Sequence, residues 1–251
     1  MEESVLHHTL TWVEIALAAV TVAALALMRA PYGRHYDGGW GPSVPAWFGW
    51  VLMESPAVLL FGGVFFMGDH RLELVPLLLL GVFQVHYVHR TFVFPFRLKT
   101  AKAMPLFIVA SGFAFNALNA YVNARWISHF GSYPVEWLTD PRLWIGVTLF
   151  VGGYVINKQA DRMLLALRKP GETGYKIPRG WLYEYVSCPN YLGEILEWVG
   201  WAVATWSLPG LAFALYTAAN VGPRALANHR WYHEKFDDYP KQRKALVPFV
   251  L

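Results

Sequence analysis

Seven apolar stretches follow one another along this chain, at about 9–29, 46–67, 73–95, 104–126, 142–163, 190–205 and 207–223. Most approach the roughly 20 residues that an α-helix needs to cross a bilayer. Inside lipid, backbone N–H and C=O groups must be satisfied without water, which leaves helices or closed barrels. Barrel strands would read as short alternating segments, and none is present. Charged residues make up 15% of the chain, against roughly 25% in soluble domains, and the mean hydropathy is +0.31. These features predict an all-α integral membrane protein with a single domain over residues 1–251. The last two stretches could instead form one re-entrant hairpin around Pro209. No cleavable leader is expected, because Glu2 and Glu3 precede the first apolar run where a basic start would stand. Cys188 is the only cysteine, so an intramolecular disulfide is excluded.

Seven spans sort the cations unequally. One side receives Arg29, Arg34, Arg97, Lys99 and Lys102, then Lys158 through Arg179, then the basic tail from Arg224 to Lys244. The other keeps Arg71, Arg125 and Arg142, diluted by Asp69, Glu73, Glu136 and Asp140. The positive-inside rule then sets the C-terminus in the cytosol and the N-terminus outside. Attraction to anionic headgroups accounts for part of the basic excess.

Polar groups inside the apolar stretches are costly at membrane depth and are usually kept for chemistry. Glu54 stands near the middle of 46–67, followed by Pro56. Desolvation there favours an un-ionised carboxyl, a hydrogen-bond donor; a bond between helices is the alternative. The next stretch ends HYVHRTFVFPF, which crowds His86, Tyr87, His89 and Arg90. Tyr87 can donate to a ligand oxygen, whereas packing explains His86 and His89 as well as chemistry does. Neither has a carboxylate or cysteine at ligand spacing, and His7 and His8 are terminal, so no metal site is expected. Asn116, Asn119 and Asn123 share one helical face. That face must meet protein or water, and helix contact explains it better than pocket lining.

The most informative segment is LRKPGETGYKIPRGWLYEYVSCPNYLGEILEW, from Leu167 to Trp198. Just before it, Asn157, Asp161 and Arg168 fall on one face. Gly171, Gly174, Pro178 and Gly180 punctuate a loop whose Arg168, Lys169, Lys176 and Arg179 can grip phosphates. Asp161 suits a ribose hydroxyl or an amide. Asn190, Glu194, Glu197 and Trp201 share a face of the following helix, and lipid anchoring does not explain two carboxylates there. The tail PRALANHRWYHEKFDDYPKQRKALVPFVL reads as a cytosolic helix over 224–238 with Arg224, Asn228, Tyr232 and Lys235 on one face. It suits a membrane surface or a lid over a cofactor. GxGxxG, Walker and HExxH patterns are absent, so a dinucleotide would have to bind inside a helix bundle.

Read in order, HYVHRTFVFPF, LRKPGETGYKIPRG, SCPNYLGEILEW, ATWSLPGLAFALYT, RWYHEKFDDYP and KALVPF resemble the 3-oxo-5α-steroid 4-dehydrogenases, the steroid 5α-reductases. The resemblance covers Glu54 to the last residue. It implies seven transmembrane helices enclosing a steroid and NADPH, and reduction of the 4,5 double bond of 3-oxo-4-ene steroids to 5α-dihydrosteroids. Glu54 and Tyr87 would be the catalytic pair that hydrogen-bonds the 3-keto oxygen. The cofactor would face Asn157, Asp161, Arg168, Tyr175, Arg179, Asn190, Glu194, Glu197, Arg224, Tyr232 and Arg243. Asn228 departs from the pattern, since a His often stands there, which leaves the roles of 228 and of neighbouring His229 open. The implied partners are a steroid arriving from the bilayer and membrane lipids, with no metal or nucleic acid, for a monomer in a bacterial inner membrane or an endoplasmic reticulum membrane. Three other readings stay open: a reductase of another enone or enoyl lipid (a polyprenol, an enoyl thioester, a sterol), an S-adenosylmethionine-dependent isoprenylcysteine-type methyltransferase with a PNYLGE-like stretch, and a transporter. A transporter would often show internal repeats, and none is visible.

Overall fold

The structure, a computed structural model, describes residues 2–28, 40–98, 103–168, 172 and 174–251. Arg29, Arg34, Lys99, Lys102 and Lys169 of the expected basic side, and the loop glycine Gly171, lie outside the described residues. The long helices are α1 (Glu3–Leu27), α2 (Ala46–Phe66), α3 (Leu74–Phe92), α5 (Leu106–Arg125), α6 (Pro141–Ala166), α7 (Pro189–Thr205) and α8 (Leu208–Lys235), with a single-turn α4 (Phe94–Arg97) after α3. Two short strands, β1 (Ser43–Val44) and β2 (Met104–Pro105), pair antiparallel and tie the start of α2 to the start of α5.

Among the described residues, four segments are long and apolar enough to cross a membrane: α1, α2, α3 with α4, and α5 with the π-helical turn Trp126–Phe130 that ends it. The chain is an integral membrane protein of all-α class. α6, α7 and α8 are helices of 26, 17 and 28 residues that carry most of the polar faces noted above.

Local chemistry sets the boundaries. α1 starts at Glu3, whose carboxylate accepts two hydrogen bonds from Arg125 of α5, at 2.7 Å each. α7 and α8 are joined through Trp206 in the left-handed region, φ 44°. Ser207 caps α8 by accepting from the Gly210 N–H at 3.0 Å. Pro209 lies in the first turn of α8, where a missing N–H breaks no helical bond. The helical segments expected at 207–223 and 224–238 are one uninterrupted helix with Pro223 inside it. Its inner residues Thr217, Val221, Ala225, Asn228 and Tyr232 stay buried on both sides of that proline, so packing holds the axis where one backbone bond is lost.

α6 and α7 make the most intimate contact of the fold. Glycines on the two helices face each other's backbones. A Cβ at Gly153 would lie 2.5 Å from the Glu197 nitrogen and the Gly193 carbonyl oxygen; one at Gly193 would meet the Asn157 nitrogen at 2.5 Å. Gly146 and Gly200 repeat the arrangement further along. Small residues allow such close approach where the hydrophobic effect gives helices no reason to associate in lipid. Beside this pair, Phe61 stacks on Phe83 at 3.9 Å, Phe83 on Tyr87 at 4.8 Å, and Trp198 tilts over Phe213 at 4.2 Å. These rings join α2, α3, α7 and α8 into one apolar core around Tyr87.

The glycine contact makes a sharp prediction. Gly153→Ala should destabilise the detergent-solubilised protein by about 3 kcal/mol, since backbone atoms cannot move aside as a side chain would. Gly152→Ala, whose new methyl meets nothing within 4 Å, should leave the melting temperature unchanged or raised, Ala being the better helix former. Equal melting temperatures for the two variants would show that α6 and α7 are not in backbone contact.

Candidate active site

α2 and α3 bring the first set of polar groups together. Glu54 is buried, and its Oε2 accepts from Asn116 Nδ2 of α5 at 3.1 Å. The same amide donates to the Met53 carbonyl at 2.8 Å. Arg90 Nε lies 3.6 Å from Glu54 Oε1. The Arg90 guanidinium sits in the corner formed by Trp50 and Phe94, at 4.4 and 4.9 Å from the ring centroids, the two rings being nearly perpendicular. Tyr87 stands one turn before Arg90 on α3 and is 4% exposed. Its ring lies against Phe83, His86, Trp198 and Phe213. Tyr87 and Glu54 thus stand on the packed helices α3 and α2, with Asn116 and Arg90 holding the Glu54 carboxyl in place.

Two asparagines of the α5 stripe bond other helices, as the pattern led one to expect. Asn116 does so through Glu54 and the Met53 carbonyl of α2. Asn123 accepts from Trp201 Nε1 at 2.8 Å and donates to Asn119 Oδ1 at 2.7 Å, which is the expected helix contact.

The second set lies where α6 meets the start of α7. Asn157 and Asp161 are buried, one turn apart on α6. Asn157 Nδ2 donates to the Asn190 carbonyl at 2.9 Å, and Asn190 Nδ2 donates to Asp161 Oδ1 at 3.2 Å. Lys158 Nζ donates to Asn157 Oδ1 at 3.1 Å and sits 4.9 Å from the Tyr154 ring. Glu194 is half-buried one turn beyond Asn190. Glu197, a turn further, is fully buried, and its Oε1 lies 2.8 Å from His86 Nδ1. His86 thereby ties α3 to α7 beside Tyr87. Asp161 Oδ2 and Glu197 Oε2 have no hydrogen-bond partner among the described residues.

The remaining candidates are spread around the rim. Arg168 stacks on Tyr175 at 4.5 Å. Arg224 of α8 donates to the Tyr191 hydroxyl at 3.0 Å. Tyr232 is buried in a stack with Tyr239, 5.0 Å apart and 9° from parallel. Arg243 is 1% exposed and donates to the Pro178 carbonyl at 2.9 Å. It also reaches Glu184 at 3.4 Å. Arg179 is exposed and pairs with Asp238 at 3.6 Å. Glu184 accepts from the Gly180 N–H; that bond, then the Arg243 charge, holds its carboxyl below the usual range. The segment after Pro240 runs back as a strap beside the loop: Ser187 N donates to the Lys244 carbonyl at 2.8 Å and Cys188 N to the Ala245 carbonyl at 3.1 Å. Ser187 Oγ is 2.6 Å from both His229 Nδ1 and the Tyr239 hydroxyl. Asn228 Nδ2 lies 3.8 Å from Cys188 Sγ. Positions 228 and 229 thus fasten the end of α8 to the start of α7.

Arg90 was noted in the sequence beside Tyr87 but given no role at Glu54, and Lys158 was noted only as a basic residue. Arg90 could have been found by helical spacing, since it falls one turn from Tyr87. Lys158 had a cost signal, a lysine between two polar positions of an otherwise apolar helix.

Similarity to known proteins bears on what this arrangement does. The family described as 3-oxo-5-alpha-steroid 4-dehydrogenase matches residues 102–251. A protein of Gossypium hirsutum named steroid 5-alpha-reductase DET2 is 45% identical, covering 99% of this chain and 98% of its own length. Bos taurus 3-oxo-5-alpha-steroid 4-dehydrogenase 1 is 42% identical over 100% of this chain and 99% of its own. The Homo sapiens protein of the same name is 41% identical over 96% and 94%. Matches of this length run through every helix that builds the two polar clusters, and they place the chain in the 3-oxo-5α-steroid 4-dehydrogenase family of oxidoreductases.

Proposed function

We propose that this chain reduces the 4,5 double bond of 3-oxo-4-ene steroids to 5α-dihydrosteroids with NADPH. The observation that carries the reading is the placement of Tyr87 and Glu54 deep in an aromatic core, with Asn116 and Arg90 fixing the carboxyl. As the double bond is reduced, negative charge grows on the 3-keto oxygen. Donors already aimed at that oxygen in a dry site stabilise it without reorganising. The Tyr87 hydroxyl is one such donor and an un-ionised Glu54 the other. The rings of Phe83, Trp198 and Phe213 exclude water and offer an apolar bed for a four-ring skeleton.

The residues present fit NADPH. Asp161 Oδ2 and Arg243 Nε are buried polar atoms without a partner among the described residues, and such atoms are normally satisfied. Asp161 with Asn157 and Asn190 would hold hydroxyl or amide groups of the cofactor. Arg168, Arg224 and Arg243 would meet its phosphates, and Tyr175 and Tyr232 would flank them. Glu194 and Glu197 would lie toward the nicotinamide, with His86 fixing Glu197. NADPH supplies a hydride when bound, and the protein supplies orientation and electrostatics. Seven helices spanning the membrane, with the basic rim and C-terminus in the cytosol, would give the charged cofactor and the lipid-borne steroid separate approaches to a monomer.

Two experiments test this. Purified protein with NADPH and testosterone should lose the enone absorbance, and Glu54→Gln or Tyr87→Phe should each lower turnover at least about 100-fold. The thermal shift induced by NADPH should survive both substitutions; losing it with turnover would move these residues to the cofactor site. In the second, Arg224→Ala should raise the KM for NADPH about tenfold, because the substitution removes a charge-assisted bond to a phosphate. Arg179→Ala should raise it much less, because Arg179 is exposed and paired with Asp238. A thermal shift with S-adenosylmethionine in place of NADPH would favour the methyltransferase reading.

A further inference from the structure

α1 packs on the bundle through one stripe, His7, Thr11, Glu14 and Ala18, lying mainly against α8 and partly against α5. Trp12, Val13 and Val20 point outward. His7 bonds to the Val122 carbonyl at 2.8 Å and Thr11 to the His7 carbonyl at 2.9 Å. Glu14 differs from both. It is 0% exposed, and neither carboxyl oxygen has a hydrogen-bond partner among the described residues. A buried carboxyl at the centre of a spanning helix is costly and is rarely kept without a task.

The surroundings indicate the task. The stripe that buries Glu14 lies mainly against α8, the helix that carries Phe213 and Tyr216. A continuous run of rings joins Tyr216 to Tyr87 of α3. Tyr216 stacks on Phe115 at 3.5 Å, Phe115 reaches Phe213 at 6.3 Å, and Phe213 stacks on Tyr87 at 6.5 Å. One end of this aromatic floor carries the groups that would take the enone oxygen. The other lies on α8, against which α1 buries the Glu14 carboxyl, a group able to donate or accept and with no bonding partner among the described residues.

We infer that Glu14 is a specificity-determining contact for the substrate, bonding a hydroxyl or ketone at the end of the steroid skeleton remote from the enone. The inference rests on the steroid reading above and adds that the preferred substrates are oxygenated at both ends. An apolar floor discriminates weakly between skeletons, whereas a buried polar group left unpaired by the wrong ligand discriminates strongly.

The test compares two 3-oxo-4-ene steroids that differ in one oxygen, testosterone and its 17-deoxy counterpart androst-4-en-3-one, on wild type, Glu14→Leu and Glu14→Gln. Glu14→Leu should lower kcat/KM for testosterone about tenfold, as expected when one hydrogen-bonding partner is removed, and change the 17-deoxy substrate less than about twofold. Glu14→Gln, which still donates and accepts, should keep most of the wild-type preference. Thermal shifts by each steroid should show the same split without any turnover. Equal losses on both steroids, or a raised melting temperature with the preference intact, would overturn the inference and leave Glu14 a structural residue. If Glu14→Leu does not fold, Glu14→Asp replaces it, and the same two outcomes separate support from refutation. Failure of wild type to reduce either steroid would overturn the steroid reading instead, and the thermal-shift comparison would still decide Glu14.

Discussion

Backbone contact between α6 and α7 is the constraint on which the rest depends. Gly153 and Gly193 let the two helices approach until each backbone lies where the other's Cβ would be. Only at that separation can the short side chain of Asn157 reach the Asn190 carbonyl, and Asn190 reach Asp161. One turn further along α7, Glu197 reaches His86 of α3. A methyl group's worth of extra spacing would break the α6–α7 bonds while leaving every helix intact. Packing and chemistry are thus one problem here, because the polar cluster is built from the residues that flank the glycines.

A polar group in a dry bundle has to be held by fixed partners, and the two clusters do this differently. Around Glu54 the partners come from four elements: Asn116 on α5, Arg90 on α3, and through Arg90 the rings of Trp50 on α2 and Phe94 on α4. None of these can relax without disturbing the others, so the carboxyl keeps its orientation. Around Asp161 the satisfaction is partial, with one oxygen bonded to Asn190 and the other without a partner among the described residues. The first arrangement suits a group that must not move during reaction. The second suits one that is completed by a ligand.

The sequence disclosed these features unequally. Helix class and approximate helix positions were legible because an apolar run of such length is what a bilayer-crossing helix requires. Asn157 with Asp161, and Asn190 with Glu194, were legible as faces because helical spacing is fixed. That the two faces meet was not, since one-dimensional spacing says nothing about which helices are neighbours. The glycines at 146, 153, 193 and 200 carried that information as a repeat of seven on both helices, but a glycine in an apolar run reads first as a weak helix former. The asparagine stripe was legible as a helix contact because such a face must meet protein or water, and Asn116 and Asn123 do bond other helices. The continuity of α8 was hidden by Pro223, a local signal that tertiary packing overrides.

The end of the chain shows why the tail cannot be read apart from the bundle. Arg243 is charged, yet it is among the most buried residues, and it bonds the Pro178 carbonyl and Glu184 across a loop more than fifty residues earlier. Burying a guanidinium is tolerable only if its donors are used. Here two contacts are met from the loop, and one nitrogen has no partner among the described residues. The strap's backbone bonds to Ser187 and Cys188 then fix the first turn of α7, which is the turn that presents Asn190 to Asp161. A disturbance at Arg243 therefore travels through a few rigid bonds to the α6–α7 cluster, so the C-terminal residues belong to the construction of the site although they lie outside the spans.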